Sequence, residues 1–313
     1  MPVSDRIGRR MKLHDLHVFM AVLQAGSMNK AAKLLNTGQS AVSRSISELE
    51  QTIGVRLLDR NPQGVEPTQY GRALLNGGAA VFDDLRRALK TIEFLADPTV
   101  GELRIGSSAL LAASFVAALV DQLSQLYPGI VFHLVTGHVP ALHRELIERN
   151  VDLLIVRRFG PIVDERLDFE FLFEDSYLVA AGAQNPWVRR RKIELADLVN
   201  ESWVLPPPGS VIASVVEQAF RAKGLGYPHT TVITESSEAR TSLLATGRYL
   251  AVYPTSALRF SARHPEIKTL PVKLPMAKLP NGIATLKNRA LNPVAQLFID
   301  RAREVAKPLA NRK

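Results

Sequence analysis

Residues 39–47 carry the densest set of side chains able to read another molecule. Gln39, Ser40, Ser43, Arg44 and Ser47 fall on one side of a helical repeat. The other side of that repeat is Val42, Ile46, Leu49 and Ile53. A solvated helix face ordinarily carries Glu–Lys pairs a turn apart, yet no acid appears here before Glu48. Gln bonds an adenine edge, Arg a guanine edge or a phosphate, and Ser a base or a phosphate. The matching partner is double-stranded DNA entered from the major groove; a small structural helical hairpin is the plainer alternative. A second set lies further along. Ser107-Ser108, Thr136-Gly137 and Arg157-Arg158 each end an apolar run, and Ser210 and Ser236-Ser237 each precede a helical pattern. Hydroxyls, helix-start N–H groups and one cation suit a polar or anionic small molecule.

Catalytic chemistry finds no such support. His14 and His17 are three apart and His138 and His143 five, and neither pair has a third ligand at metal spacing. No phosphate loop, dinucleotide-type glycine set or Gly-x-Ser-x-Gly elbow occurs. The absence of cysteine excludes disulfides, thiolate catalysis and thiol redox sensing. Asp164, Glu165 and Asp168 read as a solvated loop. The expectation is therefore no enzyme, no cofactor and no metal.

The elements around these residues are legible. Leu13, Leu16, Phe19, Met20 and Leu23 repeat as a helix over 13–25, stopped by Gly26, with Ser27 as the next cap. Ala31, Ala32, Leu34 and Leu35 stripe a short second helix, and Asn36-Thr37-Gly38 breaks it. The third helix runs over 39–53 to Gly54. Helix, turn and recognition helix follow. Val55, Leu57 and Leu58, then the turn "NPQGVEP", make a wing, flanked by Arg56 and Arg60 as phosphate grips. Leu74, Gly78, Val81, Leu85, Ala88, Ile92 and Leu95 alternate four- and three-residue steps, a heptad seam that pairs two chains or lies on its own domain. Asp97-Pro98 ends it.

Beyond residue 100 the pattern becomes strand–helix–strand–helix–strand, the mark of a parallel α/β sheet. Leu103 and Ile105 mark the first strand, Leu110 to Leu126 a helix, Ile130, Phe132 and Leu134 a strand, Leu142 and Leu146 a helix, and "VDLLIV" a buried strand. A similar set recurs from "DSYLVAAG" to "YLAVYP", and the chain returns to the first set at about residues 276–286 before a helix at 293–306. Two α/β halves with crossing strands enclose a cleft, and ligands sit at strand carboxyl ends in such sheets. For Ser210 and Ser236 the alternative is a helix cap; for Arg157 it is a solvated strand-end charge.

The stretches "DLHVFMAVLQAGSMNKAAKLLN", "QSAVSRSISELEQTIGVRLLDR" and "GVEPTQYGRALL" resemble the DNA-binding domain of the LysR-type transcriptional regulators, and "GELRIG" resembles that family's entry strand. The resemblance covers nearly the whole chain. It implies an α/β fold class: an N-terminal all-α winged helix-turn-helix domain at 11–68, a dimerisation helix at 69–96, and a regulatory domain at 97–313 of the two-subdomain periplasmic-binding-protein type II kind. The implied DNA set adds Ser27, Asn29, Asn61 and Gln63 to Gln39, Ser40, Ser43, Arg44, Arg56 and Arg60. Effector contacts fall on Ser107, Ser108 and Thr136, beside Gly137, Arg157, Ser210 and Ser236. Gly38 stands where the family often has Ser or Thr, which passes the cap to Thr37. Gln63 stands where Arg or Lys is frequent in the wing, and Pro67 replaces a common Leu. The partners implied are promoter or operator DNA, a small-molecule effector, further copies of the chain as a dimer of dimers (a homotetramer), and RNA polymerase.

Bulk properties agree. With 313 residues and 46% apolar side chains the chain is globular and multi-domain. A net charge of +9 permits nucleic acid. No apolar run reads as a membrane span, and "MPVSDRIGRRMKLHDLHVFM" lacks the form of a signal peptide. A cytoplasmic protein with no membrane partner is expected. An exported solute-binding protein would lack the first 75 residues' pattern. An architectural DNA binder would use the α/β part for assembly alone.

Overall fold

The structure is a computed structural model that describes residues 10–61, 64–158, 164–260, 266–275 and 278–310. The chain divides into two compact units, residues 1–89 and 90–313.

In the first unit, α1 (Leu13–Ala25), α2 (Met28–Leu34) and α3 (Gln39–Ile53) pack around Phe19, Val22, Ala31, Val42, Ile46 and Leu49. Alanines at 31 and 32 carry little bulk, so α2 approaches its neighbours closely. Gly26 and Gly54 end α1 and α3 with positive φ, the conformation that needs no Cβ. Leu13 and Leu34, read as buried, are 49% and 59% exposed; each lies at a helix end where the stripe has run off the core. Strands β1 (Leu58–Asn61) and β2 (Gly64–Pro67) form the two-stranded wing. It is pinned twice. The Val65 amide donates to the Gly26 carbonyl at 3.1 Å, and Glu50 Oε1 accepts from the Leu57 and Leu58 amides. Gly71 lets the next helix pass against the Leu57 carbonyl, where a Cβ would lie 2.1 Å from the oxygen.

Helix α4 (Gln69–Ala96) is continuous through Gly77-Gly78. The proposed seam divides. Leu74 and Gly78 face the first unit, where a Cβ on Gly78 would touch Leu16. Val81, Leu85, Ile92 and Leu95 are exposed at 42–74%. Asp97 follows, its carboxylate accepting from the Thr99 amide at 2.9 Å.

The second unit holds two five-stranded sheets. The first has the order β4 (Gly129–Thr136), β3 (Val100–Ser107), β5 (Leu153–Arg157), β12 (Leu279–Leu286), β6 (Leu167–Asp175). The second has the order β11 (Ile267–Thr269), β7 (Tyr177–Gly182), β10 (Leu250–Pro254), β8 (Trp203–Leu205), β9 (Thr230–Ile233). Strands β3, β4 and β5 are parallel, and β12 returns antiparallel to both β5 and β6. The chain thus crosses between lobes at Ser176 and again before β12. Strand β6 was not read from the sequence, and it contains Asp168, which corrects the loop assigned there. Its apolar residues Phe169, Phe171 and Phe173 alternate with acids on an edge strand, so the run looked charged.

Helices cover the sheets: α5 (Ala109–Leu126, with a π turn at Ala112–Val116), α6 (Val139–Ile147), α7 (Val211–Arg221), α8 (Ser237–Ala245), α9 (Thr255–Phe260) and α10 (Pro293–Ala310). Helix α5 is long and apolar enough to cross a membrane by length and composition alone, against the reading that no run is. Here Leu111, Phe115, Val116, Leu119 and Leu123 are buried in the first lobe's core with Phe173 and Phe298. Leu126, read with that stripe, is 62% exposed at the helix end.

Candidate functional site

In the first unit the polar face of α3 lies at the surface. Gln39, Ser40 and Arg44 are exposed on the first turns of α3, and Ser43 is half-buried beside them. The cap expected at Thr37 is not there: Gly38 is the N-cap and gives no side-chain bond. Its extended backbone starts the helix and leaves the first amides of α3 without a side-chain acceptor, a configuration suited to a phosphate oxygen. Ser47 turns back to the Ser43 carbonyl at 2.9 Å, so its hydroxyl is occupied within the helix. Ser27 caps α2 by accepting from the Lys30 amide at 3.2 Å, and Asn29 is exposed next to it. Arg56, Arg60 and Asn61 are exposed on the wing and its approach. Gln63 lies outside the described residues. Lys30 and Lys33, exposed on α2, add positive charge the sequence reading passed over.

The second unit contains a cavity of about 590 Å³ between its two lobes. Ser108, Thr136, Gly137 and Arg157 line it from the first lobe, Ser210 and Ser236 from the second. Four helices begin at its wall, with Ser108, His138, Ser210 and Ser236 as their N-caps. Ser210 and Ser236 do act as caps, accepting from the Ala213 and Ala239 amides at 3.2 and 3.1 Å. The Ser236 hydroxyl also donates to Glu238, so both its functions are used. Ser107, expected to face the same space, is turned into the sheet. It is 2% exposed and donates to the Ile155 carbonyl at 2.8 Å.

Arg157 needs a larger correction. It is neither a solvated strand-end charge nor a free grip. Its side chain is 7% exposed, bonds Asp175 at 3.2 Å and lies over the Tyr177 ring at 5.2 Å. Asp175 in turn accepts from the Ser256 amide and hydroxyl. The triad ties the ends of β5 and β6 to α9 where the chain passes between lobes. Tyr177 is buried there, and burial pushes its phenol up to about 12 even though Arg157 and Arg240 draw it down.

Arg240, on α8, was not singled out from the sequence. It is 8% exposed, lines the cavity and stacks on Tyr253 at 5.0 Å. It forms no salt bridge among the described residues, but Glu238 lies near enough to feel its charge. The signal was faint: one Arg four residues after a Ser cap, which is where a helix face returns to the cap's side. At the rim, His138 Nε2 of the first lobe meets Glu235 of the second at 3.1 Å.

A helix-turn-helix with a wing, in one chain with a two-lobed α/β unit around a polar cleft, defines a DNA-binding regulator with a ligand-binding domain. Residues 13–72 match the bacterial regulatory helix-turn-helix protein, lysR family, and residues 96–307 match the LysR substrate binding domain, so the chain belongs to the LysR family of DNA-binding transcriptional regulators. Among its relatives is the HTH-type regulator YdcI of Escherichia coli, 25% identical over 97% of this chain and 99% of the relative. GbpR of Azospirillum brasilense is 25% identical over 94% and 86%. The fold is that of a full-length OxyR variant from Pseudomonas aeruginosa (TM-score 0.66, 21% identity, 97% and 99% covered). It is also that of CbnR solved with its target DNA (TM-score 0.55, 23% identity, 95% and 100% covered).

Proposed function

We propose that this regulator controls its target promoters in response to a small polar or anionic molecule held in the cleft between the lobes. The observation that carries this is the cavity itself: six residues chosen for their positions at strand and helix ends, from stretches far apart in the chain, line one space. Four helix starts there supply N–H groups and positive dipole ends. Closing the lobes on a ligand would reset the hinge at Asp175 and Ser176 and, through the chain's oligomer, the spacing of its DNA-reading helices. The bend imposed on the promoter changes with that spacing.

On DNA, the first turns of α3 enter the major groove, with Gln39 and Arg44 reaching base edges and Ser40 and Ser43 the bases or backbone. Ser27, Asn29, Arg56, Arg60, Asn61 and Gln63 grip phosphates from α2 and the wing. The exposed Val81, Leu85, Ile92 and Leu95 stripe pairs two chains, and pairs assemble into a homotetramer. The protein acts in the cytoplasm, touches RNA polymerase when it activates, and catalyses no reaction. The experiment is a footprint of the full chain on DNA selected from the genome, with and without metabolites that raise its melting temperature. A footprint indifferent to every stabilising metabolite would leave an architectural binder instead.

A further inference from the structure

The charge of the second unit is shared unevenly between its lobes. The first lobe, residues 90–175 and 276–313, holds fifteen Lys and Arg and fifteen Asp and Glu, so it is neutral; the second, residues 176–275, holds twelve against seven. Four of those twelve cations are consecutive, and Arg189, Arg190, Arg191 and Lys192 are all exposed. They connect a single 3-10 turn at Pro186–Arg189 to another at Leu195–Leu198, with extended backbone at Arg190. Both ends of the run are anchored. On one side Asn185, 3% exposed, accepts from the Trp187 amide at 3.0 Å and donates to the Gly247 carbonyl at 2.9 Å. On the other, Ile193 and Leu195 are buried in the lobe's core, and the Glu194 amide donates to Asp197 at 2.9 Å. The tie from Asn185 to Gly247 brings a fifth exposed cation, Arg248, to the same edge of the lobe. Acids are near as well. Glu194, Asp197 and Glu201 follow in the chain, and the Glu266 carbonyl accepts from the Ala183 amide at 2.6 Å. They do not neutralise the run. Its one ion pair among the described residues is Lys192–Glu194 at 3.8 Å, with side chains 88% and 71% exposed, a pair worth little in water. A fixed block of like charges repels itself, a cost that only a facing anion offsets.

We propose that this edge of the second lobe, Arg189–Lys192 with Arg248, is a second DNA-binding surface that grips phosphates outside the bases covered by α3. Three features select that partner. Trp187 and Val188 pack against the core, so the edge presents charge without the apolar centre of a protein-docking patch. Four of the five cations are arginines, whose planar forks fit phosphate oxygens in pairs. DNA is also already held by the same chain, through the helix-turn-helix at 13–72, so a further contact on that duplex is intramolecular. The run has no side chain suited to telling one base from another except through arginine, and its density of charge fits backbone contact, which positions DNA without reading it. Such a grip favours DNA bent toward the lobe over straight DNA.

The test measures operator binding by the full chain against KCl concentration, on a fragment with long flanks and on one that ends at the bases α3 covers. The variant combines Arg189→Gln, Arg190→Gln, Arg191→Gln and Lys192→Gln, and a companion replaces the three arginines by Lys. Each phosphate contact adds about 0.9 to the slope of log affinity against log salt. Three lost contacts therefore flatten the slope by about 2.7, and between 50 and 200 mM salt the variant escapes about 40-fold of the wild type's loss. The flattening is expected on the long fragment alone, and the Lys companion should keep most of the wild-type slope. Hydroxyl-radical protection of the flanks should be present in the wild type and absent in the Gln variant. Where the fourfold variant fails to fold, Arg190→Gln with Arg191→Gln is read in the same way, with a flattening of about 1.8. Equal slopes for wild type and Gln variant on the long fragment overturn the proposal. So does equal flattening on both fragments, which is what loss of a diffuse field produces. A Gln variant that binds and protects DNA like wild type, yet no longer activates purified RNA polymerase, assigns the run to an acidic protein and overturns the proposal too.

Discussion

Breaking the Arg157–Asp175 pair should unfold the α/β unit at a markedly lower temperature. Its nitrogen and oxygen lie 3.2 Å apart, with side chains 8% and 2% exposed. At an effective dielectric of about 20, charges at that separation attract by about 5 kcal/mol. Desolvation offsets most of this while both partners are present, but removing one strands the other, at about 3–5 kcal/mol. The two directions are unequal. After Arg157→Met, Asp175 still accepts from the Ser256 amide at 3.0 Å and from its hydroxyl, so the loss falls at the lower end. After Asp175→Asn, a guanidinium whose Nε already lacks an acceptor keeps only the Tyr177 ring, so the loss falls at the upper end. For a unit of this size each kcal/mol lowers the midpoint by about 2–4 °C, giving about 6–12 °C for Arg157→Met and more for Asp175→Asn. Trp187 and Trp203, the chain's two tryptophans, both lie in the second unit, so their fluorescence follows its melting in the intact protein. Replacing both partners, as Arg157→Met with Asp175→Leu, should recover most of the loss. Single variants that melt within about 2 °C of wild type would refute the reasoning.

Three further outcomes are expected. Arg44→Ala should weaken operator binding by about 1–3 kcal/mol and relax discrimination at one base position, measured by gel shift on the operator and on point variants of it; unchanged affinity would remove Arg44 from base reading. Leu85→Asp puts a charge on the exposed stripe of α4 and should lower the sedimentation coefficient without changing the tryptophan melting midpoint; an intact oligomer would count against that interface. Burial holds Tyr177 near 12 when folded, above about 10 unfolded, so its contribution is present below pH 10 and is lost as pH rises from 10 through 12. Stability should fall by up to about 2–3 kcal/mol over that window, and Tyr177→Phe should remove that part of the slope; a slope unaltered by the variant would show the tyrosine is not its source.

Much of this was legible because it follows from period and punctuation. The first and third helices were found to the residue because Gly26 and Gly54 mark their ends and the apolar spacing is unambiguous, and the second was located by Ser27 though Leu35, read in its stripe, lies just past its end. The parallel strand β5 read as an apolar run because both its faces are covered, and β3 read from the alternation of Leu103 and Ile105. What failed depended on tertiary contacts. Strand β6 hid behind acids that an edge strand tolerates. Gly78 read as one position of a seam and is where α4 meets α1. Arg157 looked free because its partner, Asp175, is eighteen residues away and is brought to it by β6. Arg240 carries only a faint local mark, its spacing from the Ser236 cap, and its place in the cleft wall appears only once the cavity is assembled.

The central claim is that occupancy of the cleft changes how the protein holds DNA. Its most direct measurement is the DNase footprint and bend angle of the full chain on a genome-selected operator, across a titration of the metabolite that best stabilises the wild type. The account expects a changed footprint and bend that saturate with the same midpoint as the thermal shift. A footprint and bend that stay constant while the cleft fills would contradict it.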